Sequence, residues 1–136
     1  MEFFNVTPNP IYRIHDPIGL KYLTRLRVGL SHLRAHKFYH NFKDTISNIC
    51  LCQNGSETVE HFLLYCPFFS SLRLELFEKL RRIISLLTFI SSYYTCNLLL
   101  YGNPEYDDYT NRKIIESTIS YIIATNRFDQ PFFSTD

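Results

Sequence analysis

Cys50-Leu51-Cys52-Gln53-Asn54-Gly55-Ser56-Glu57-Thr58-Val59-Glu60-His61-Phe62-Leu63-Leu64-Tyr65-Cys66 is the stretch on which the fold turns. Three cysteines and one histidine recur in it with the spacing C-x-C-x8-H-x4-C. Three soft thiolates and one imidazole make a complete tetrahedral shell for one zinc ion. A shell filled by four side chains leaves no corner for an activated water, so such a site is structural rather than catalytic. Asn54-Gly55 readily supplies the positive φ angles of a tight reversal and can fold the two ligand pairs together. Ser56 to Thr58 offer capping oxygens, and Glu57 and Glu60 suit the positive end of a short helix that carries His61 and stops near Cys66-Pro67. Two other readings stay open: a disulfide scaffold, which a one-residue gap and the lack of a signal-like start at Met1 disfavour, and unliganded cysteines packed as small hydrophobes. Cys96 has no partner at ligand spacing and reads as buried filler.

Outward from this centre, the composition is that of a globular domain: 136 residues, 46% hydrophobic, 20% charged, with ten Tyr, twelve Phe and no Trp. A chain of this length buries roughly two-thirds of its unfolded surface. Net charge is only +1. The charge is polarised, because residues 1 to 49 hold seven Lys/Arg against three acids and residues 50 to 136 hold seven against ten. Residues 83 to 104 carry no charge, but Ser85, Thr88, Ser91, Ser92, Thr95 and Asn97 interrupt the apolar character too often for a membrane span. No membrane and no small-molecule substrate is expected, and the two N-x-S/T sequons carry no weight without secretion.

The pattern predicts a mostly α chain: a small helical domain with a zinc-knuckle-like insertion between two amphipathic helices. Residues 1–15 read as an extended lead-in, 16–128 as a single helical domain containing the zinc segment 50–66, and 129–136 as a frayed tail. Asp16-Pro17 offers an N-cap and an N1 proline. From there Leu23, Leu26, Leu30 and Leu33 lie on one helical face, with Lys21, Arg25, His32, His36 and His40 opposite and Arg27, Arg34 and Lys37 on the flanks. Gly29 weakens that helix. Leu72, Leu76, Leu80, Ile83, Ile84 and Leu87 mark a second amphipathic helix. Asn97 to Tyr101 reads as a short strand or a buried turn, Gly102-Asn103-Pro104 as a loop, and Asn111 to Arg127 as a last helix.

Leu23-Thr24-Arg25-Leu26-Arg27-Val28-Gly29-Leu30-Ser31-His32-Leu33-Arg34-Ala35-His36-Lys37-Phe38, then Cys50-Leu51-Cys52, then Glu57-Thr58-Val59-Glu60-His61-Phe62-Leu63-Leu64-Tyr65-Cys66-Pro67 closely resemble one known region. It is the part downstream of the polymerase in non-LTR (LINE-type, jockey-like) retrotransposon reverse transcriptases. Leu99-Leu100-Tyr101-Gly102, Thr118 to Ile123 and Asn126-Arg127-Phe128 resemble that family's C-terminal tail. The resemblance implies Zn2+ held by Cys50, Cys52, His61 and Cys66, and help in holding element RNA or target DNA. It also implies an intracellular place of action, nucleus or cytoplasm, and an upstream reverse-transcriptase domain as a possible neighbour. Leu30 stands where relatives often have His, and Gln53 where they commonly have Gly.

No enzyme is expected of this chain. Polymerase chemistry needs carboxylates holding two metal ions on a much longer palm. Tyr106-Asp107-Asp108 lacks the residue that separates aromatic from aspartates in that signature, and reads as an acidic turn capping the last helix. The zinc segment has no Lys or Arg and would repel phosphate, so the expected nucleic-acid surface is the preceding basic helix: Lys21, Arg25, Arg27, Arg34, His36, Lys37 and Lys43. Phe38, Tyr39 or Phe42 would stack on unpaired bases, and the histidines at 32, 36 and 40 read as partly protonated phosphate contacts or as solvent-facing. The zinc ion then fixes the helix rather than touching nucleic acid. The alternative is a structural brace packed on a polymerase thumb and core, without nucleic-acid contact.

Overall fold

The computed structural model describes residues 14–84 and 91–129. Most of the expected lead-in, the tail beyond Asp129 and Leu87 therefore lie outside the described residues. The chain is mostly α, with five α-helices among the described residues: α1 (Pro17–Val28), α2 (Arg34–Tyr39), α3 (Ser70–Ile83), α4 (Ser92–Tyr101) and α5 (Asp108–Thr125). A π-helical turn (His61–Tyr65) and a 3-10 turn (Pro67–Phe69) lead into α3. The extended backbone makes one isolated antiparallel bridge, Ile49 to Ser56, among the described residues.

The hub is α5, which packs against α3, α1 and α4. Its buried stripe, Ile114, Ile115, Ile119 and Ile122, meets Leu23 and Leu26 of α1, Leu76 and Leu80 of α3 and Leu98 and Leu99 of α4 in one apolar cluster. Gly19 on α1 marks the closest approach, since a Cβ there would collide with the Ile119 side chain. Thr118, fully buried on α5, donates its hydroxyl to the carbonyl of Leu99 at 2.8 Å and so satisfies its own polar group inside the core. No described helix is long and apolar enough to cross a membrane.

The helix ends follow local chemistry. Asp16 caps α1, accepting from the Gly19 N–H at 2.8 Å, with Pro17 at the first helical position. Asp107 caps α5 by accepting from the Thr110 N–H at 2.8 Å, and hydrogen bonding from the Thr110 side chain and then its N–H holds the Asp107 carboxyl below the usual range. The acidic turn at Tyr106-Asp107-Asp108 is thus a helix cap. Asn111 then ties the preceding loop, accepting from the Asn103 N–H and donating to the Asn103 carbonyl, both at 2.9 Å.

Two sequence expectations are corrected. The leucine-spaced helix does not continue past Gly29, which sits at φ 77° in the left-handed region and closes α1 while Leu30 N–H donates back to the Arg25 carbonyl at 3.0 Å. Leu30 leaves the leucine seam and is 58% exposed, whereas Leu33, beyond the break, is buried again. Ser31 reinforces the break: its hydroxyl accepts from the Leu33 N–H at 3.1 Å and pairs with His36 Nδ1 at 2.7 Å, a local bonding scheme that competes with helix. The proposed single cationic face spanning Lys21 to His40 is therefore broken up, with Lys21 and Arg25 on α1, His32 in the connection, His36 on α2 and His40 just beyond it. The second correction is α4, where Asn97 to Tyr101 are helical rather than a strand or turn. Leu98, Leu99 and Leu100 are buried together, so the run has no strand-like alternation and no one-sided helical pattern to read.

Candidate metal centre

Cys50 and Cys52 lie on a tight reversal. Residues 48 to 57 fold back on themselves through Cys50 N–H to the Gly55 carbonyl and Glu57 N–H to the Asn48 carbonyl, both 2.8 Å. Inside the reversal Gln53 N–H bonds the Cys50 carbonyl at 2.8 Å and Asn54 N–H points at Cys52 Sγ at 3.3 Å. The positive φ angles fall on Gln53 (68°) and Gly55 (117°), not on the Asn54-Gly55 pair that the turn reading favoured. Gln53 carries a Cβ in a conformation where glycine is cheaper.

His61 and Cys66 come from a helical turn begun by Thr58, whose hydroxyl accepts from the His61 N–H at 3.0 Å. In a regular α-helix, residues five apart point about 140° away from each other. The turn avoids this by widening. Cys66 N–H bonds the His61 carbonyl at 2.7 Å, a π-type i to i+5 link that brings the two side chains to one face. Widening releases carbonyls, and the core takes them up: Tyr121 hydroxyl donates to the Phe62 carbonyl at 2.6 Å, and Arg73 donates to the carbonyls of Leu63 at 3.1 Å and Cys66 at 2.6 Å. Burial pushes the Tyr121 hydroxyl up to about 12, keeping it a donor.

The four ligand atoms all lie within 4.8 Å of one another. Cys50 Sγ to Cys66 Sγ is 3.8 Å and Cys52 Sγ to His61 Nε2 is 3.3 Å. A tetrahedron with metal–sulfur bonds of about 2.3 Å has sulfur–sulfur edges of about 3.8 Å. The cluster is thus sized to hold a metal ion. No disulfide joins the described cysteines, and Cys96, half-buried on α4 and packed against the core, stands apart from the cluster. Cys50, Cys66 and His61 are buried and Cys52 is half-buried. Burial pushes the Cys50 thiol up to about 12 and the Cys66 thiol in the same direction, and lowers His61, whose neutral ring is the form a metal needs.

Glu57 has a different role from the helix-end acid expected of it. It is buried, and its carboxylate accepts from Arg127 Nε and Nη2, each at 2.7 Å, and from the Arg34 N–H at 2.7 Å. The Glu57 carbonyl accepts from the Ala35 N–H at 3.2 Å. The residue between the two ligand pairs therefore caps α2 and grips the chain just after α5. Arg127 also donates to the His32 carbonyl at 3.0 Å. Arg127, Arg73 and Tyr121 support the centre from outside the ligand segment, and no spacing rule links residues so far apart in sequence.

The basic residues expected to meet nucleic acid fall into two groups. Lys21, Arg25 and Lys43 are exposed. The rest are engaged within the fold: Arg27 donates to the Leu100 carbonyl at 2.7 Å and lies 4.7 Å over the Tyr101 ring, Arg34 donates to the Ile49 carbonyl at 2.6 Å, and Lys37 is 1% exposed and paired with Asp44 at 3.1 Å. Burial lowers both His32 and His36, aided by neighbouring Lys37 for the first and His40 for the second. Both shifts favour the neutral ring. No protein-family description, no curated protein and no solved structure matches this chain.

Proposed function

We propose that this chain is a non-catalytic, zinc-stapled nucleic-acid-binding module, of the kind found in the C-terminal part of a non-LTR retrotransposon reverse transcriptase. The observation that carries the metal half is the convergence of the ligand atoms of Cys50, Cys52, His61 and Cys66 to within 4.8 Å of one another. A donor set of three thiolates and one imidazole selects zinc over harder divalent ions. Zinc there supplies a cross-link and no reaction centre. Its part is to lock the reversal at Cys50-Cys52 onto the π turn, and through Glu57 to set α2 against the end of α5. Element RNA or target DNA is the intended partner, met by the exposed cations Lys21, Arg25 and Lys43, inside the cell in nucleus or cytoplasm.

The test has two arms. Purified chain should contain one zinc per molecule, and cobalt substitution should give the visible bands of tetrahedral thiolate coordination. A stoichiometry far below one removes the metal half. Binding to RNA or DNA should weaken steeply with salt, with a slope reduced by Lys21→Ala and Arg25→Ala; absent or salt-independent binding removes the other half.

A second reading has its own observation. Ile18, Val28, Leu30 and Leu74 are exposed on α1, α3 and the connection after α1. A brace docked on a reverse-transcriptase core would cover such residues. It predicts self-association of the isolated chain, no nucleic-acid binding, and relief of the association by the upstream polymerase segment.

A further inference from the structure

The six-residue helix α2 is built inside out. Its one buried residue is Lys37, while Phe38, Tyr39 and Phe42 are 44%, 79% and 46% exposed. A short helix placed only to pack would bury its rings and solvate its amine, because apolar burial is favourable and burial of an ammonium is costly. Here the buried amine anchors the display of the rings. Lys37 Nζ pairs with Asp44 Oδ2 at 3.1 Å and sits 5.8 Å from the Phe42 ring centre, and Thr45 hydroxyl donates to Asp44 Oδ1 at 2.7 Å.

The backbone under the rings is equally well held. Asn41 takes the left-handed conformation at φ 61°. Phe42 N–H donates to the Lys37 carbonyl at 3.0 Å and Asn41 N–H to the Phe38 carbonyl at 3.1 Å, the paired bonds of a Schellman helix end. At its other end α2 is clamped by Glu57. Residues 38 to 44 are all exposed on this rigid turn. Rings fixed in advance lose little freedom on binding. From Arg34 to Lys43 there is no acid, Asp44 is neutralised by Lys37, and His40 and Lys43 flank the rings. An electropositive edge carrying exposed aromatics suits a ligand that presents flat apolar faces along a polyanionic chain.

We infer that the turn 38–43 is a stacking platform for the unpaired bases of single-stranded nucleic acid, with Tyr39 and Phe42 taking bases and Lys43 a phosphate. This rests on the nucleic-acid-binding function proposed above and makes it specific for single strands. Stacking requires a base with a free face, which a duplex does not offer along its length.

Fluorescence anisotropy of the zinc-loaded chain with a labelled oligouridylate, and with a mixed-sequence RNA duplex of equal length, tests it. The single strand should bind more tightly. Tyr39→Ala and Phe42→Ala should each weaken it about tenfold with the salt slope unchanged, since stacking releases no counterions. Tyr39→Phe should retain binding, and Lys43→Ala should lower the slope by about one. Zinc content and far-ultraviolet circular dichroism of each variant should match the parent, as these side chains are exposed. Equal binding of the duplex overturns the inference. So does a Tyr39→Ala/Phe42→Ala double variant with parental affinity while Lys21→Ala/Arg25→Ala loses it, a result that leaves the proposed function standing. Absence of binding to either oligonucleotide overturns both.

Discussion

Glu57 shows what one residue contributes beyond its own segment. Its side chain joins three parts of the chain that are far apart in sequence: the metal segment that carries it, the first turn of α2, and Arg127 after α5. Breaking a buried ion pair by removing one partner leaves an uncompensated charge or donor and costs about 3 to 5 kcal/mol. Arg127→Leu should therefore lower the denaturant midpoint strongly, and Arg127→Leu combined with Glu57→Leu should cost less than the sum of the single changes. A double-mutant cycle by urea titration checks this, and strict additivity would show that the pair is not coupled. His61→Ala removes one corner of a cluster whose other members are thiols, so metal stoichiometry should fall well below one while Cys96→Ala leaves it unchanged.

At the scale of elements, short helices here survive by their ends. Isolated helices this brief are marginal, because nucleation fixes several residues for a single hydrogen bond. The left-handed closures at Gly29 and Asn41 and the side-chain caps at Asp16, Thr58 and Asp107 supply what length does not. Gly29→Ala places a Cβ at φ 77° and should destabilise the chain by about 1 kcal/mol. Thr58→Ala removes the cap over His61 and should cost about 1 kcal/mol together with metal affinity. Thermal melts with and without added zinc separate these two effects, since the Gly29 change should lower both melts equally while the Thr58 change should lower the zinc-loaded one more. The π turn is the costly element. Its irregular bonding persists because Tyr121 and Arg73 satisfy the carbonyls it releases, so Tyr121→Phe should loosen the Cys66 corner as well as the core.

For the whole molecule, the cysteine–histidine cluster and the helical core are joined by the hydrogen bonds of Glu57, Arg73 and Tyr121. Metal binding in modules of this type contributes an apparent ~10 kcal/mol or more to folding. Chelation should therefore unfold residues 50 to 66 and release α2, while α5 with α3 and α4 keeps part of its protection through the isoleucine and leucine core. Hydrogen exchange before and after chelation measures that order, and uniform collapse of protection would show that cluster and core unfold as one unit. The sequence by itself determined the Cys50, Cys52, His61 and Cys66 cluster that could hold a metal ion, the helical class, the caps at Asp16 and Asp107, and the helices α3 and α5, because side-chain chemistry, capping and one-sided periodicity act over a few residues. It misjudged the run from Gly29 to Leu33, where leucine spacing and a left-handed glycine gave opposing signals, and α4, where burial of three successive leucines erased the pattern. Only the tertiary structure decided that His61 and Cys66 meet through a π turn, that Glu57 belongs to Arg127, and that Arg27, Arg34 and Lys37 are bonded within the fold. Those outcomes depend on which carbonyls and charges the packed chain leaves in need of partners, and such needs arise between residues that no local spacing connects.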